Sequence, residues 1–380
     1  MNDMRELKTR KPNMEGNGVN SGKIKGNETT GRTVLMITCI NGHIDIINML
    51  LDRGALINEI DNGGNTALMI ASENGHYEVC SILLNRGAEI EKRNNVGLTA
   101  LTWACLNGHH KCVAILLEKG AEINHKDING NTPLIYASEN GFTEVVNLLL
   151  EKKSCNINMR NNFDSTALIR AVRDGQTPVV RILITKNAAI NDKANDGWTA
   201  LMIACRKGHF EIANTLVEAG AHTNDKNKYG INALILACKY GHLKIAIMLI
   251  DAGGADIEKR NNNGSTALMM ACRKGKLDVV KFLVTMGADV NKKNYMGETP
   301  FINACINGHL EVVRYLYEIS SGSMNINVTD HGGNTPLIIA SENGHSELVR
   351  LLVEYGADSG HKNYEGKNYL DVVRDQATGK

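Results

Sequence analysis

Cys105, His109, His110 and Cys112 stand within eight residues of one another, a local density of ligands that would suit zinc. A structural zinc site needs four such groups converging as a tetrahedron. The chain carries twelve histidines and nine cysteines in 380 residues, so the metal and catalytic readings have to be weighed along its whole length. Position argues against both. His43, His76, His109, His209, His242, His309 and His345 each directly follow a glycine at a fixed interval. Cys39, Cys105, Cys205, Cys238, Cys272 and Cys305 share a second recurring place, where Ser72, Ser138, Val172 and Ser341 also occur. A place that accepts Cys, Ser or Val asks for a small buried side chain, not for a thiolate. Cys112 aligns with Val79 and Ile212, again on a core-facing register. There is no Gly-x-x-x-x-Gly-Lys-Ser/Thr loop, no Gly-x-Ser-x-Gly elbow and no His-Glu-x-x-His pair. An active site occurs once in a chain, whereas these residues recur. No catalytic residue, metal or cofactor is expected, and the chain reads as a non-enzyme.

The interval itself is the dominant signal. Thr33, Thr66, Thr99, Thr132, Thr166, Thr199, Asn232, Thr266, Thr299, Thr335 and Asn368 mark eleven starts; seven of the ten spacings are 33 residues, two are 34 and one is 36. The extra residues fall at Lys152–Cys155, at Gly253-Gly254 and at Ser320–Ser323, after helical patterns, where a loop absorbs length cheaply. In the third repeat Thr99-Ala100-Leu101 opens a short helix that Asn107-Gly108 ends. Val113, Leu116 and Leu117 then space an amphipathic second helix, which Gly120 stops. A glycine lies nine residues after the anchor in all ten complete repeats, and another two before it in ten of eleven. The exception is Asp164, one of the few residue types that tolerate a positive φ.

These registers resemble the ankyrin-repeat family from about Gly31 to Tyr369: Thr-Pro-Leu, Ala, Gly-His, Leu-Leu and Gly-Ala-Asp recur in phase, most fully at Gly297–Phe301 and Gly333–Leu337. The resemblance implies an all-α solenoid of stacked helix-turn-helix repeats with protruding β-hairpin fingers. Residues 1–30 read as a disordered leader, 31–370 as the array, and 371–380 as the end of a cap and a tail from Gln376. One departure stands out. Where the family places His three residues after the anchor, this chain has Met36, Met69, Thr102, Ile135, Ile169, Met202, Ile235, Met269, Ile302 and Ile338, so apolar contact between repeats is expected to replace its hydrogen bonds.

Composition fits stacking. Hydrophobic residues are 43% of the chain and aromatics only 4%, so the core must be Leu, Ile, Val, Ala and Met packed in thin layers between neighbouring repeats. Net charge is +1 and residues 1–30 hold six basic against four acidic groups, which gives no general pull toward nucleic acid or an anionic membrane. No stretch approaches the roughly 18 apolar residues of a membrane helix. Cysteine spacing shows no disulfide framework, which points to a reducing compartment, the cytoplasm or the nucleus.

Function is then expected in surfaces. The resemblance implies a protein-binding scaffold or adaptor, a monomer, whose partner meets finger tips and the exposed ends of first helices. Seven and eight residues after the anchor the chain reads Glu73-Asn74, Leu106-Asn107 and Glu139-Asn140, changes to Arg173-Asp174, Arg206-Lys207, Lys239-Tyr240 and Arg273-Lys274, and returns to Ile306-Asn307 and Glu342-Asn343. Trp198 and Tyr229 lie in the same block, and Val96, Phe163 and Met296 share the finger-tip register of Tyr229. Arg173, Trp198, Arg206, Lys207, Tyr229, Lys239, Tyr240, Arg273 and Lys274 are therefore the candidate partner-binding residues, for an acidic protein segment or, alternatively, short RNA. A basic residue six before most anchors and Asn in place of Asp beside it form two further stripes, from Arg93-Asn94 to Lys362-Asn363. Arg170, where most repeats carry an apolar residue, is expected to mark a weak junction or part of the binding surface.

Overall fold

The computed structural model describes residues 30–320 and 324–378; the leader expected over 1–30 lies outside them except for Thr30, as does most of the Ser320–Ser323 insertion. The chain divides into two compact bodies, Met1–Ala189 and Ile190–Lys380. The first holds five helix pairs, from Val34–Asn41 with Ile44–Asp52 to Ala167–Arg173 with Thr177–Thr185. The second holds five more, from Ala200–Lys207 with Phe210–Glu218 to Pro336–Glu342 with Ser346–Glu354, and ends with Tyr369–Thr378, a helix that continues past Gln376, where the sequence reads a tail. Within each body consecutive pairs stack first helix on first helix, as the repeat requires.

Each first helix starts where its anchor side chain accepts a hydrogen bond from the backbone N–H three residues on: Met36 to Thr33 Oγ1 at 3.3 Å, and Ile235 to Asn232 Oδ1 at 2.9 Å. Such a cap stabilises by about 1 kcal/mol. Pro133, Pro300 and Pro336 occupy the first helical position, where a missing N–H costs nothing. The turn glycines end these helices at positive φ, from 64° at Gly275 to 82° at Gly208, and Asp164 takes φ 53° as its register demands.

First helices are buried nearly all round, as in Ala67–Ser72, whereas second helices bury one face, such as Val79, Cys80 and Leu83. All ten residues that replace the family histidine are buried, at 3% exposure or less. Each fully buried Leu, Ile or Met contributes about 1.5–3 kcal/mol, which makes the aliphatic layer the main stabilising term between repeats.

The fingers are hairpin turns too short for paired strands. Asp61 N–H donates to Asn65 O at 2.9 Å and Gly64 N–H returns to Asp61 O at 2.9 Å. Among the described residues no strand forms, and Lys193 with Thr199 makes an isolated antiparallel bridge.

Candidate functional site

The zinc-like quartet does not converge. Cys105 and Cys112 are buried, with the Cys112 sulfur 4.0 Å from that of Cys80. His109 Nε2 donates to Glu73 O at 2.9 Å, and His110 Nδ1 sits 3.1 Å from Glu144 on the exposed side of its helix. Among the described residues no three His, Cys, Asp or Glu side chains group so as to hold a metal ion. Burial pushes the Cys39 thiol up to about 12 and the Cys155 thiol up to about 11, so these sulfurs stay protonated and are poor nucleophiles.

The repeat histidines have a shared structural task. His76, His242, His309 and His345 point Nε2 at Ile40 O, Arg206 O, Arg273 O and Ile306 O, at 2.9 to 3.3 Å. A carbonyl only accepts, so Nε2 carries the proton and satisfies one of the carbonyls left over at a helix end. Gln176 does the same for Glu139 O at 3.1 Å. The preceding turn glycine makes room: a Cβ on Gly75 would meet His109 Nδ1 at 2.6 Å.

Both finger stripes are also structural. Lys126, Lys226 and Lys293 donate through Nζ to Arg160 O, Arg260 O and Thr329 O of the next repeat, at 2.7 to 2.9 Å. The Asn stripe closes fingers: Asn94 Oδ1 accepts from Val96 N–H at 3.1 Å and Leu98 N–H at 2.8 Å, as Asp61 does from Gly63 and Asn65. Asn adds a donor that Asp lacks. Its Nδ2 reaches back one repeat, Asn94 to Asn65, Asn161 to Asn131 and Asn363 to Asn334, at 2.8 to 2.9 Å. The missing negative charge thus has a packing reason that sequence reasoning did not supply.

The candidate binding residues divide between the bodies. Arg173 belongs to the first body, where it is half-buried and paired with Glu139 at 2.8 Å and Asp174 at 3.2 Å. The other eight lie in the second. There the helix Ala200–Lys207 projects Arg206 so that its Cζ sits 5.4 Å from the Trp198 ring centre and 5.9 Å from that of Tyr240. Lys239 stands 5.5 Å from the same Tyr240 ring. Tyr229, 49% exposed, has Lys228 Nζ 5.1 Å from its ring, and Lys228 also pairs with Asp196 at 2.5 Å. Lys228 was not singled out by register, because only the ring contact sets it apart. Arg273 is half-buried with Nη1 3.9 Å from Glu298 Oε2, while Lys207 and Lys274 are exposed. The geometry therefore joins Trp198, Arg206, Lys239 and Tyr240 into one cluster within the second body, while Arg173 belongs to the first.

Trp198 and the buried amides beside it depart from the asparagine pairing seen in three other repeats. Trp198 stands one before its anchor, the place from which Asn65, Asn131 and Asn334 accept the next repeat's asparagine. Asn227, which follows Trp198 in that scheme, is 5% exposed and its Nδ2 has no hydrogen-bond partner among the described residues. Asn232 caps its helix as a stand-in for Thr, and its fully buried Nδ2 is also without a partner. Among the described residues no helix is long and apolar enough to cross a membrane.

A family model described as ankyrin repeats (3 copies) matches residues 13–94, 90–161, 153–227, 222–294 and 292–363. No curated protein matches the chain.

Proposed function

Because this chain belongs to the ankyrin-repeat family, we propose that it is a non-enzymatic protein-binding scaffold that captures an acidic partner segment through the basic and aromatic surface of its second body. Ankyrin repeats bind protein partners in general; the acidic preference and the residues are this chain's own. The carrying observation is the Arg206 guanidinium over Trp198 and Tyr240. Aromatic faces hold a guanidinium in place without spending its hydrogen bonds, which leaves its donor fork for a carboxylate. Trp, Tyr and Arg are also the residues that most often dominate interface energy. Lys207, Lys239, Arg273 and Lys274 add positive charge along successive first-helix ends, about 8–10 Å apart and so within roughly one screening length of each other. The Trp198 ring supports the same reading, since three other repeats use its place for an asparagine that accepts the next repeat's amide.

Overall neutrality and few aromatics weigh against nucleic acid, which needs an extended basic footprint. The test is a comparative pull-down with R206E/K207E/R273E/K274E. Partners recovered by the parent protein should be lost from the reversed one, whose circular dichroism stays unchanged. Equal recovery with the same salt dependence would place binding elsewhere, and partners lost after nuclease treatment would favour short RNA.

A further inference from the structure

Arg170 lies in the first body, on the helix Ala167–Arg173, in a register that holds Ile37 and Ile70 upstream. It is 5% exposed, and its Nε and Nη1 have no hydrogen-bond partner among the described residues. Its Nη1 lies 3.7 Å from Glu139 Oε1, the oxygen that already accepts from Arg173 Nη2 at 2.8 Å. Arg173 also reaches Asp174. Two guanidinium groups thus face two carboxylates, and charge is balanced while Nε and Nη1 of Arg170 make no hydrogen bond among the described residues. The same register holds a second buried donor with no hydrogen-bond partner among the described residues, Trp103 Nε1, two repeats upstream. Tyr136, in the repeat between them, donates its hydroxyl to Asp127.

A buried donor left unmade costs about 1–3 kcal/mol, and more when it is charged. Replacing such a group by an apolar side chain of similar volume is often neutral or stabilising. The complement that satisfies these donors is neutral, because a further carboxylate would leave the balanced cluster with excess negative charge. Peptide carbonyl oxygens meet that description: each is uncharged and offers two lone pairs to a planar fork of N–H groups.

We propose that Arg170 reads a main-chain carbonyl of an extended peptide segment laid along the first helices of the repeats anchored at Thr99, Thr132 and Thr166. Trp103 Nε1 meets a second acceptor of the same segment. Two repeats span roughly 16–20 Å at the usual helix spacing, or about five to six extended residues. The Phe163 ring, 6.0 Å from the Arg170 Cζ and on an exposed finger, covers the guanidinium and is displaced by a change of rotamer. This inference rests on the reading of the chain as a protein-binding scaffold, and assigns the first body a grip on the peptide main chain that does not depend on sequence.

The probe is a 12-residue peptide selected from a random phage-displayed library on the full-length protein, then synthesised and titrated against the parent, R170L and R206E. Leu236 occupies the equivalent place in another repeat, so R170L should fold, and Glu139 keeps Arg173. The expected result is binding at least tenfold weaker in R170L with an unchanged salt slope and an unfolding midpoint equal to or above the parent's. Replacing the peptide's amides by esters one at a time should then find a bond whose exchange weakens binding to the parent and not to R170L, the signature of a coupled pair. Full-strength binding by R170L, with loss in R206E, would overturn the role of Arg170 and leave the scaffold reading standing. Coupling of Arg170 to a peptide carboxylate instead of an amide would also overturn it. Failure to select any peptide, or binding indifferent to both variants, would sink both readings.

Discussion

Trp198 occupies the position at which Asn65 accepts the side-chain amide of Asn94 in an earlier repeat, and the buried Nδ2 of Asn227 has no hydrogen-bond partner among the described residues. The two residues set an interface contact against a stacking contact. W198A and W198N remove the same ring, but only W198N supplies the acceptor found at Asn65 and Asn131. We expect W198N to exceed W198A in stability by about 1 kcal/mol in urea unfolding, a difference that N227A abolishes. Both single variants should capture the acidic partner more weakly than the parent.

Asn232 offers a simpler gain. Threonine would keep the cap, as Thr199 Oγ1 does for Met202 N–H at 3.3 Å, and would remove a fully buried amide donor that has no partner among the described residues. N232T should raise stability by about 1–3 kcal/mol. A variant no more stable than the parent would mean that the amide already has a bonding partner in solution.

Two glycines with nearly the same backbone should respond differently. Gly75 has φ 80° and a Cβ there would run into the His109 ring at 2.6 Å, whereas Gly120 has φ 87° and nothing within 4 Å. G120A should cost the left-handed strain alone, about 1–2 kcal/mol. G75A should cost clearly more, because His109 must also surrender its bond to Glu73 O. Equal losses in the two variants would refute the close-approach explanation.

Burial lowers the basicity of His309, and His345, Lys274 and Lys276 add to the effect against the Arg273 carbonyl, which supports the proton. A histidine that is less basic folded than unfolded takes up protons more readily in the unfolded chain. Stability therefore rises with pH through the window below the usual histidine value of about 6.5, and falls as acid is added. Glutamine does the same task at Gln176. H309Q should match the parent within about 1 kcal/mol at pH 8 and lose part of its acid sensitivity near pH 5–6. Parallel curves for parent and variant would show that His309 does not titrate on unfolding.

Eight of the nine cysteines are buried and Cys155 is half-buried. Maleimide labelling of the native protein, followed by mass spectrometry, should modify Cys155 first. The rest should react only as fast as their repeats open, and sooner on adding urea. Early labelling of Cys105 or Cys112 would contradict their place in the core.

The amino-acid sequence alone determined the repeat, its phase and its backbone. Glycine at a left-handed cap, threonine at a helix start and small residues in a packed layer are local demands, and they recur ten times, so chance is averaged away. The irregular turn at Asp164 was legible too, because few residue types accept that φ, whereas the positive φ of Asn187 and Asp196 was not read from the pattern. The candidate site was legible only in part. Register placed Trp198, Arg206 and Tyr240 in one block, but their stacking depends on side-chain directions across repeats. The lysine and asparagine stripes looked like surface charge until the next repeat's carbonyls and the previous repeat's amides were found beside them. Arg170 stood out as an oddity of type, yet that its Nε and Nη1 make no hydrogen bond among the described residues followed only from the placement of Glu139 against Arg173. Bonds within 33 residues follow from pattern, whereas partnership between side chains of different repeats is settled by the distances that stacking sets.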